Sequence, residues 1–338
     1  MNLISLCGLT LEEIFSIINH EGFTKDHALK ICNGIYKKRI QSTDSIPGIP
    51  RKLKEALSQK TVSGIFMPLK AEESSDGTVK YLFSAADGRK FETIYIPDKG
   101  RHTVCVSSQS GCRMGCPFCV TGRYGFHGNL SAAEIVNQVL AIRESATINR
   151  VVFMGMGEPM DNLENVLKAC DILCAEWGKA VGVKNITVSS VGVTPAIKKF
   201  LQFSECNLAV SLFSPFPQER IRVVPAENKY PVHEIIEMMK DFPVRKKRRL
   251  TLSYVMMKDV NDSMGHLREL KRLLHGSGVR INLLPYHTGA DDAYSSSPYE
   301  RMQIFMHELA SSGIQASVRK SRGADISAAC GLLASGLS

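Results

Sequence analysis

The chain has 338 residues, 44% hydrophobic and 22% charged, a composition that builds a sizeable core and excludes a chain disordered throughout. Lysine and arginine number 42 against 33 acidic residues, and the resulting net charge of +9 favours an anionic partner such as nucleic acid. No apolar run approaches the roughly 18 residues of a membrane-spanning helix, and ten cysteines are too sparse for a disulfide scaffold.

The start, MNLISLCGLTLEEIF, has no basic n-region and does not read as a signal peptide, so the expected compartment is the reducing cytoplasm, where thiols stay free for metals or chemistry. The length predicts about two domains. LTLEEIFSIINHEGF carries Leu11, Ile14, Ile17 and Ile18 at helical spacing. KDHALKICNGIYKKRI repeats the pattern, SIPGIP at 45–50 is a turn, and RKLKEALSQ is a third short helix. IFMPLK, VKYLFSA and FETIYIP predict strands around turns at Asp76–Gly77 and Asp87–Gly88. Residues 1–90 are therefore expected to form a small helical accessory domain with a short β region.

From residue 91 onward the pattern alternates. HTVCVSS predicts a strand, and a glycine-rich cysteine loop follows. SAAEIVNQVLAIRES predicts a helix with Ser131 and Glu134 at capping-box spacing. Strands NRVVFMGM, NITVSSV, NLAVSLF, RLTLSYVMM, VRINLLP and QASVRK then alternate with helices over 162–175, after Thr194–Pro195, and in HEIIEMMKDF, MGHLRELKRLLH and YERMQIFMHELASS. Such alternation implies parallel strands joined by right-handed crossovers, an α/β barrel with its chemistry where strands end.

The strongest motif is GCRMGCPFC. Cys112, Cys116 and Cys119 sit on one short loop with three and then two residues between them. Three thiolates on such a loop can wrap one face of an iron–sulfur cluster and leave one iron open. A closed zinc site is the alternative, with His127 as the only nearby fourth ligand.

The C-x-x-x-C-x-x-C spacing, with Phe118 before the last cysteine and a strand before the loop, resembles the radical S-adenosylmethionine superfamily. CVSSQSGCRMGCPFCVTGRYGFHGNLSAAEIVNQV, VVFMGMGEPMDN, VSSVGVTPAI, LAVSLFSP, YVMMKDVNDS, RINLLP and VRKSRGADISAACGLLA narrow that likeness, in order, to the RlmN/Cfr family of RNA adenosine methyltransferases. The resemblance implies a partial (β/α)6-type barrel, with residues 91–338 forming the barrel and a catalytic tail, and residues 1–90 engaging RNA. It implies a [4Fe-4S] cluster on Cys112, Cys116 and Cys119, and two molecules of S-adenosylmethionine per turnover. Gly157, Glu158, Ser189, Ser211, Leu212, Phe213 and His287 match the family's cofactor contacts.

By the same resemblance Cys330 accepts a methyl group, Cys105 resolves the protein–RNA link through a disulfide, and Glu92 accepts a proton. The substrate implied is an adenosine of 23S ribosomal RNA, and of transfer RNA, methylated on C2 or C8, with a reducing electron-transfer protein as donor. Both ring carbons are poor nucleophiles, which is why radical chemistry suits them. Phe213 stands where the family usually has His, His287 where it has Asn, and Ser327 where it has Asp. Two rivals stay open: a radical enzyme with a non-RNA substrate, and a silent RNA-binding paralogue. Two basic runs are candidate phosphate contacts, Arg245 to Arg249 in sequence and Lys37, Lys38, Arg39, Arg51, Lys52 and Lys54.

Overall fold

The computed structural model describes residues 3–20, 22–242, 248–287 and 294–334. Strands β1 (Ile4–Ser5) and β2 (Thr61–Val62) pair in parallel and bracket helices α1 (Leu11–Asn19), α2 (Lys25–Cys32) and α3 (Arg51–Lys60). In α1 the buried stripe is Leu11, Ile14 and Ile18. Thr10 and Glu13 close a capping box at its start, satisfying two otherwise orphan amides. A π-helical turn, Asn33–Lys37, extends α2.

IFMPLK forms no strand before Lys70. Pro68 has no amide to donate to a ladder. Phe66 instead exchanges two hydrogen bonds with the Asn137 side chain, at 3.0 and 2.8 Å. Strands β3 (Lys70–Glu73), β4 (Val79–Ser84), β5 (Lys90–Asp98) and β6 (Arg101–Cys105) then form an antiparallel meander. The boundary expected at residue 90 falls on the first residue of β5. Pairing between β4 and β5 runs from Val79↔Tyr95 to Ser84↔Lys90, so the sheet continues straight across it.

After β6 comes a hairpin, β7 (Gln109–Gly111) and β8 (Phe126–Asn129), holding the short helix α4 (Val120–Tyr124). The barrel repeat follows as α5 (Ala132–Leu140), β9 (Arg150–Phe153), α6 (Leu163–Cys174), β10 (Ile186–Ser190), α7 (Thr194–Phe203) and β11 (Asn207–Ser211). Next are α8 (Pro217–Val223), α9 (Val232–Asp241), β12 (Leu250–Met256), α10 (Met264–Leu274), β13 (Arg280–Pro285), α11 (Tyr299–Ser311) and β14 (Ala316–Val318). Ser131 and Glu134 make the predicted capping box on α5.

The main sheet has ten strands in the order β14-β13-β12-β11-β10-β9-β6-β5-β4-β3, parallel from β14 to β6. It keeps two free edges, so the barrel is partial, as expected. One apolar cluster reaches from Leu6 through the barrel to Ala334. A second, smaller one gathers Cys116, Phe213, Val223, Val224, Met257 and Tyr286. No described helix is long and apolar enough to cross a membrane. Arg245, Lys246 and Lys247 lie outside the described residues. Beside them, Arg248 donates to the Leu201 carbonyl at 2.8 Å.

Candidate active site

The cysteine loop follows β7 directly and is closed by β8. Its neck is tight: a Cβ on Gly111 would lie 1.7 Å from the Gly125 carbonyl oxygen, and φ there is +74°, so only glycine fits. The Cys112 amide closes the neck by donating to Gly125 at 2.8 Å. Cys119 is the N-cap of α4. Arg113 lies over the Phe126 ring at 3.8 Å and pairs with Asp161 at 2.8 Å, fixing the loop's flank. Phe118 stacks on Phe213, ring centroids 5.9 Å apart, tying the loop to the end of β11.

Burial foremost, with the nearby Glu158 and the other loop thiolates adding to it, pushes the Cys112 and Cys116 thiols up to about 12. Such a donor set is penalised when ionised alone and relieved by a cationic metal centre among the sulfurs, so it fits a cluster. Among the described residues, no group of three or more His, Cys, Asp or Glu is gathered closely enough to hold a metal ion, the three loop cysteines included.

Cys105 ends β6 and is buried; Cys330 is exposed. Both are free thiols. Burial raises the Cys105 pKa, and the Cys330 charge raises it further, so the two lie in one electrostatic neighbourhood. Cys330 is open to water, yet enough protein surrounds its sulfur to desolvate it. Its pKa is raised by that desolvation and eased by Arg319.

The tail that carries Cys330 is clamped from both sides. Val120 of α4 donates its amide to the Gly331 carbonyl at 2.9 Å. The Thr121 hydroxyl donates to the Leu333 carbonyl at 3.0 Å. Glu92 of β5 is buried, and its Oε2 accepts the Ala334 amide at 2.8 Å. Burial raises the Glu92 pKa; the Ala334 hydrogen bond and Lys80 lower it. Lys80 also donates to the Ile326 carbonyl at 2.7 Å. The β3–β4 turn adds Asp76, which accepts the Gly323 amide at 3.0 Å, and Ser74, which donates to Asp325 at 2.6 Å.

The other expected cofactor residues line adjacent strand ends. A Cβ on Gly157 would stand 2.5 Å from Gln109 Cβ, and φ there is +96°, so its lack of a side chain is used against Gln109. Glu158 is fully enclosed, and burial lifts its pKa to about 7. Its two oxygens accept the amides of Met160 at 2.9 Å and Val191 at 2.8 Å, bridging the ends of β9 and β10. Ser189 donates to the Phe153 carbonyl at 2.7 Å. Phe213 is buried with φ +61°, and Ser327 has φ +52°. Left-handed backbone suits His and Asp better than Phe or Ser, so both departures sit at strained positions. His287, half-buried, lies 3.3 Å from the Ser321 hydroxyl, and burial lowers its pKa.

Sequence reasoning missed Arg220. This residue is fully buried and paired with Glu227. It donates to the carbonyls of Val191, Ser211 at 2.9 Å and Leu212 at 3.0 Å, gathering the ends of β10 and β11. Nothing in PFPQERIRVV marks it, because its partners come from two other segments.

Residues 106–270 match the Radical SAM superfamily model. The chain is 40% identical over 328 residues to the probable dual-specificity RNA methyltransferase RlmN of Parabacteroides distasonis, covering 97% of this chain and 96% of that one. It is 36% identical over 331 residues to the dual-specificity RNA methyltransferase RlmN of Syntrophotalea carbinolica, covering 98% and 89%. A radical SAM methyltransferase from Sphaerobacter thermophilus superposes with a TM-score of 0.90 at 36% identity, over 97% of this chain and 98% of that one. With identity of that level over nearly its whole length and the same barrel, the chain belongs to the RlmN family of radical S-adenosylmethionine RNA methyltransferases.

Proposed function

We propose that this chain methylates a ring carbon of an adenosine in RNA, C2 in preference to C8, in 23S ribosomal RNA and also in transfer RNA, carrying the methyl group on Cys330. The observation that carries this reading is the docking of the Cys330 tail onto α4, the helix that starts at Cys119. Cys112, Cys116 and Cys119 would hold a [4Fe-4S] cluster, and Gly157, Glu158, Ser189, Ser211, Leu212, Phe213 and His287 would surround S-adenosylmethionine; together these groups supply, from two molecules per turnover, a methyl group and a 5′-deoxyadenosyl radical.

The protein's own part follows from placement. Cys330 is exposed, and as a thiolate it would accept the methyl group, its new S–C bond forming as the donor's sulfonium–methyl bond breaks. Arg319 lies near enough to favour that anion. Once the sulfur-borne carbon is joined to the ring, the Cys105 thiolate would attack the Cys330 sulfur, the S–S bond forming as the sulfur–carbon bond breaks, and the released carbon keeps the electron pair and takes a proton to become the methyl group. Glu92 takes the ring proton; burial has already raised its proton affinity. A reducing electron-transfer protein returns the pair to thiols. The helical amino end, with its basic tips, contributes to holding the RNA.

The test is methyl transfer by anaerobically reconstituted protein to 23S ribosomal RNA fragments, read as 2-methyladenosine by mass spectrometry. No methylated adenosine in any fragment, with deoxyadenosine still released, would point to a non-RNA substrate. Cys105→Ala is expected to accumulate a covalent RNA adduct through Cys330. Clean turnover by that variant would remove Cys105 from its role.

A further inference from the structure

Between the ends of β13 and β14 and the start of α11 lies a cavity of about 300 Å³. Its lining includes Arg319, Lys320, Ser297, Ser321 and Tyr299. Arg319 and Lys320 follow directly on β14; both are exposed, and neither side chain has a partner among the described residues. Arg319 and Lys320 begin the tail that carries Cys330, and Ser321 of the same lining lies 3.3 Å from His287. Tyr299 opens α11 and is 60% exposed. The remaining wall is Ser296 with the apolar Pro285, Met302 and Val318.

A space of this volume is at the small end of ligand sites and matches one nucleotide better than an extended chain. Two exposed cations, without partners among the described residues, recognise a phosphate group, and an exposed ring beside apolar wall recognises a base face; the Ser297 hydroxyl is already committed to Asp262 at 2.9 Å. Building on the RNA reading above, we propose that this cavity binds one phosphodiester of the substrate RNA beside the nucleotide presented to Cys330. Arg319 and Lys320 contact the phosphate, and Tyr299 stacks on the adjoining base. The contact sets the register of the strand, so that the target adenosine is held over the thiol.

The experiment measures binding of a fluorescein-labelled 23S ribosomal RNA hairpin to reconstituted holoenzyme by anisotropy, across a range of KCl concentrations. Arg319→Gln and Lys320→Gln are each expected to lower the slope of log affinity against log salt by about 0.7. Tyr299→Ala is expected to weaken binding about tenfold with the slope unchanged. Lys184→Gln, on an exposed turn before β10, is the control and should behave as wild type. Methylphosphonate is then placed at each loop phosphate in turn. At one position wild type should lose affinity at least fivefold while Arg319→Gln loses none. Equal slopes in Arg319→Gln and wild type, or losses that add independently at every phosphate, would overturn the assignment while leaving the RNA reading intact. Loss of methylation by Arg319→Gln with unchanged binding would instead restrict that residue to the thiols and also overturn it. Failure of wild type to bind any hairpin would remove the RNA reading itself, and this proposal with it.

Discussion

Asp325 is held by the β3–β4 turn through Ser74 Oγ at 2.6 Å and the Ser75 amide at 3.1 Å. The Ser74 hydroxyl, first among those donors, pulls its pKa below the ordinary value. A carboxylate lowered on folding contributes stability that is complete above its unfolded value, about 3.9, and is lost as pH falls through the lower folded value. The Asp325 contribution to tail docking should therefore be flat from pH 8 to about 4 and fade only below that, which the difference in amide exchange over residues 323–334 between wild type and Asp325→Ala would show. Asp325→Ala should speed that exchange about tenfold at neutral pH while β9 to β12 stay protected; unchanged tail exchange would show that the latch contributes nothing. This contact was hidden in the sequence because its partners lie about 250 residues apart. The three loop cysteines were legible for the opposite reason: their spacing is local, so the motif is written in one stretch of chain.

At the scale of elements, Arg220 and Glu227 bind α8 to the ends of β10 and β11. Removing one partner of a buried ion pair leaves the other charged and unpaired, whereas removing both leaves an apolar space. Arg220→Met should cost roughly 3–5 kcal/mol in urea unfolding, and Arg220→Met with Glu227→Met should recover most of it. A single-variant cost under about 1 kcal/mol would mean that water reaches the pair. Ser131→Ala should cost about 1 kcal/mol through the lost cap of α5, measured the same way. The parallel strands were readable because apolar runs and helical periods alternate over long stretches. The β7–β8 hairpin and α8 escaped notice because each is only a few residues long, set by glycine geometry and a buried arginine. IFMPLK misled because only Ile65 and Phe66 turn into the core, Met67 and Leu69 stay exposed, and the ladder with β4 begins only at its end.

Across the whole molecule, the apolar cluster that starts at Leu6 runs into the barrel without a break. Tyr36 of the helical end lies 6.1 Å from Trp177, the single tryptophan, which follows α6. The chain is therefore expected to unfold in one transition, with Trp177 fluorescence and far-UV circular dichroism coinciding. Two separated midpoints would show that the helical end melts by itself. β14 and β3 are opposite margins of an unclosed sheet, and residues 319–334 run from one towards the other, fastened to the β3–β4 turn, β4 and β5. That span acts as a drawstring over the gap. Severing the chain between β14 and Ala334 would therefore leave the two margins linked only through the sheet itself.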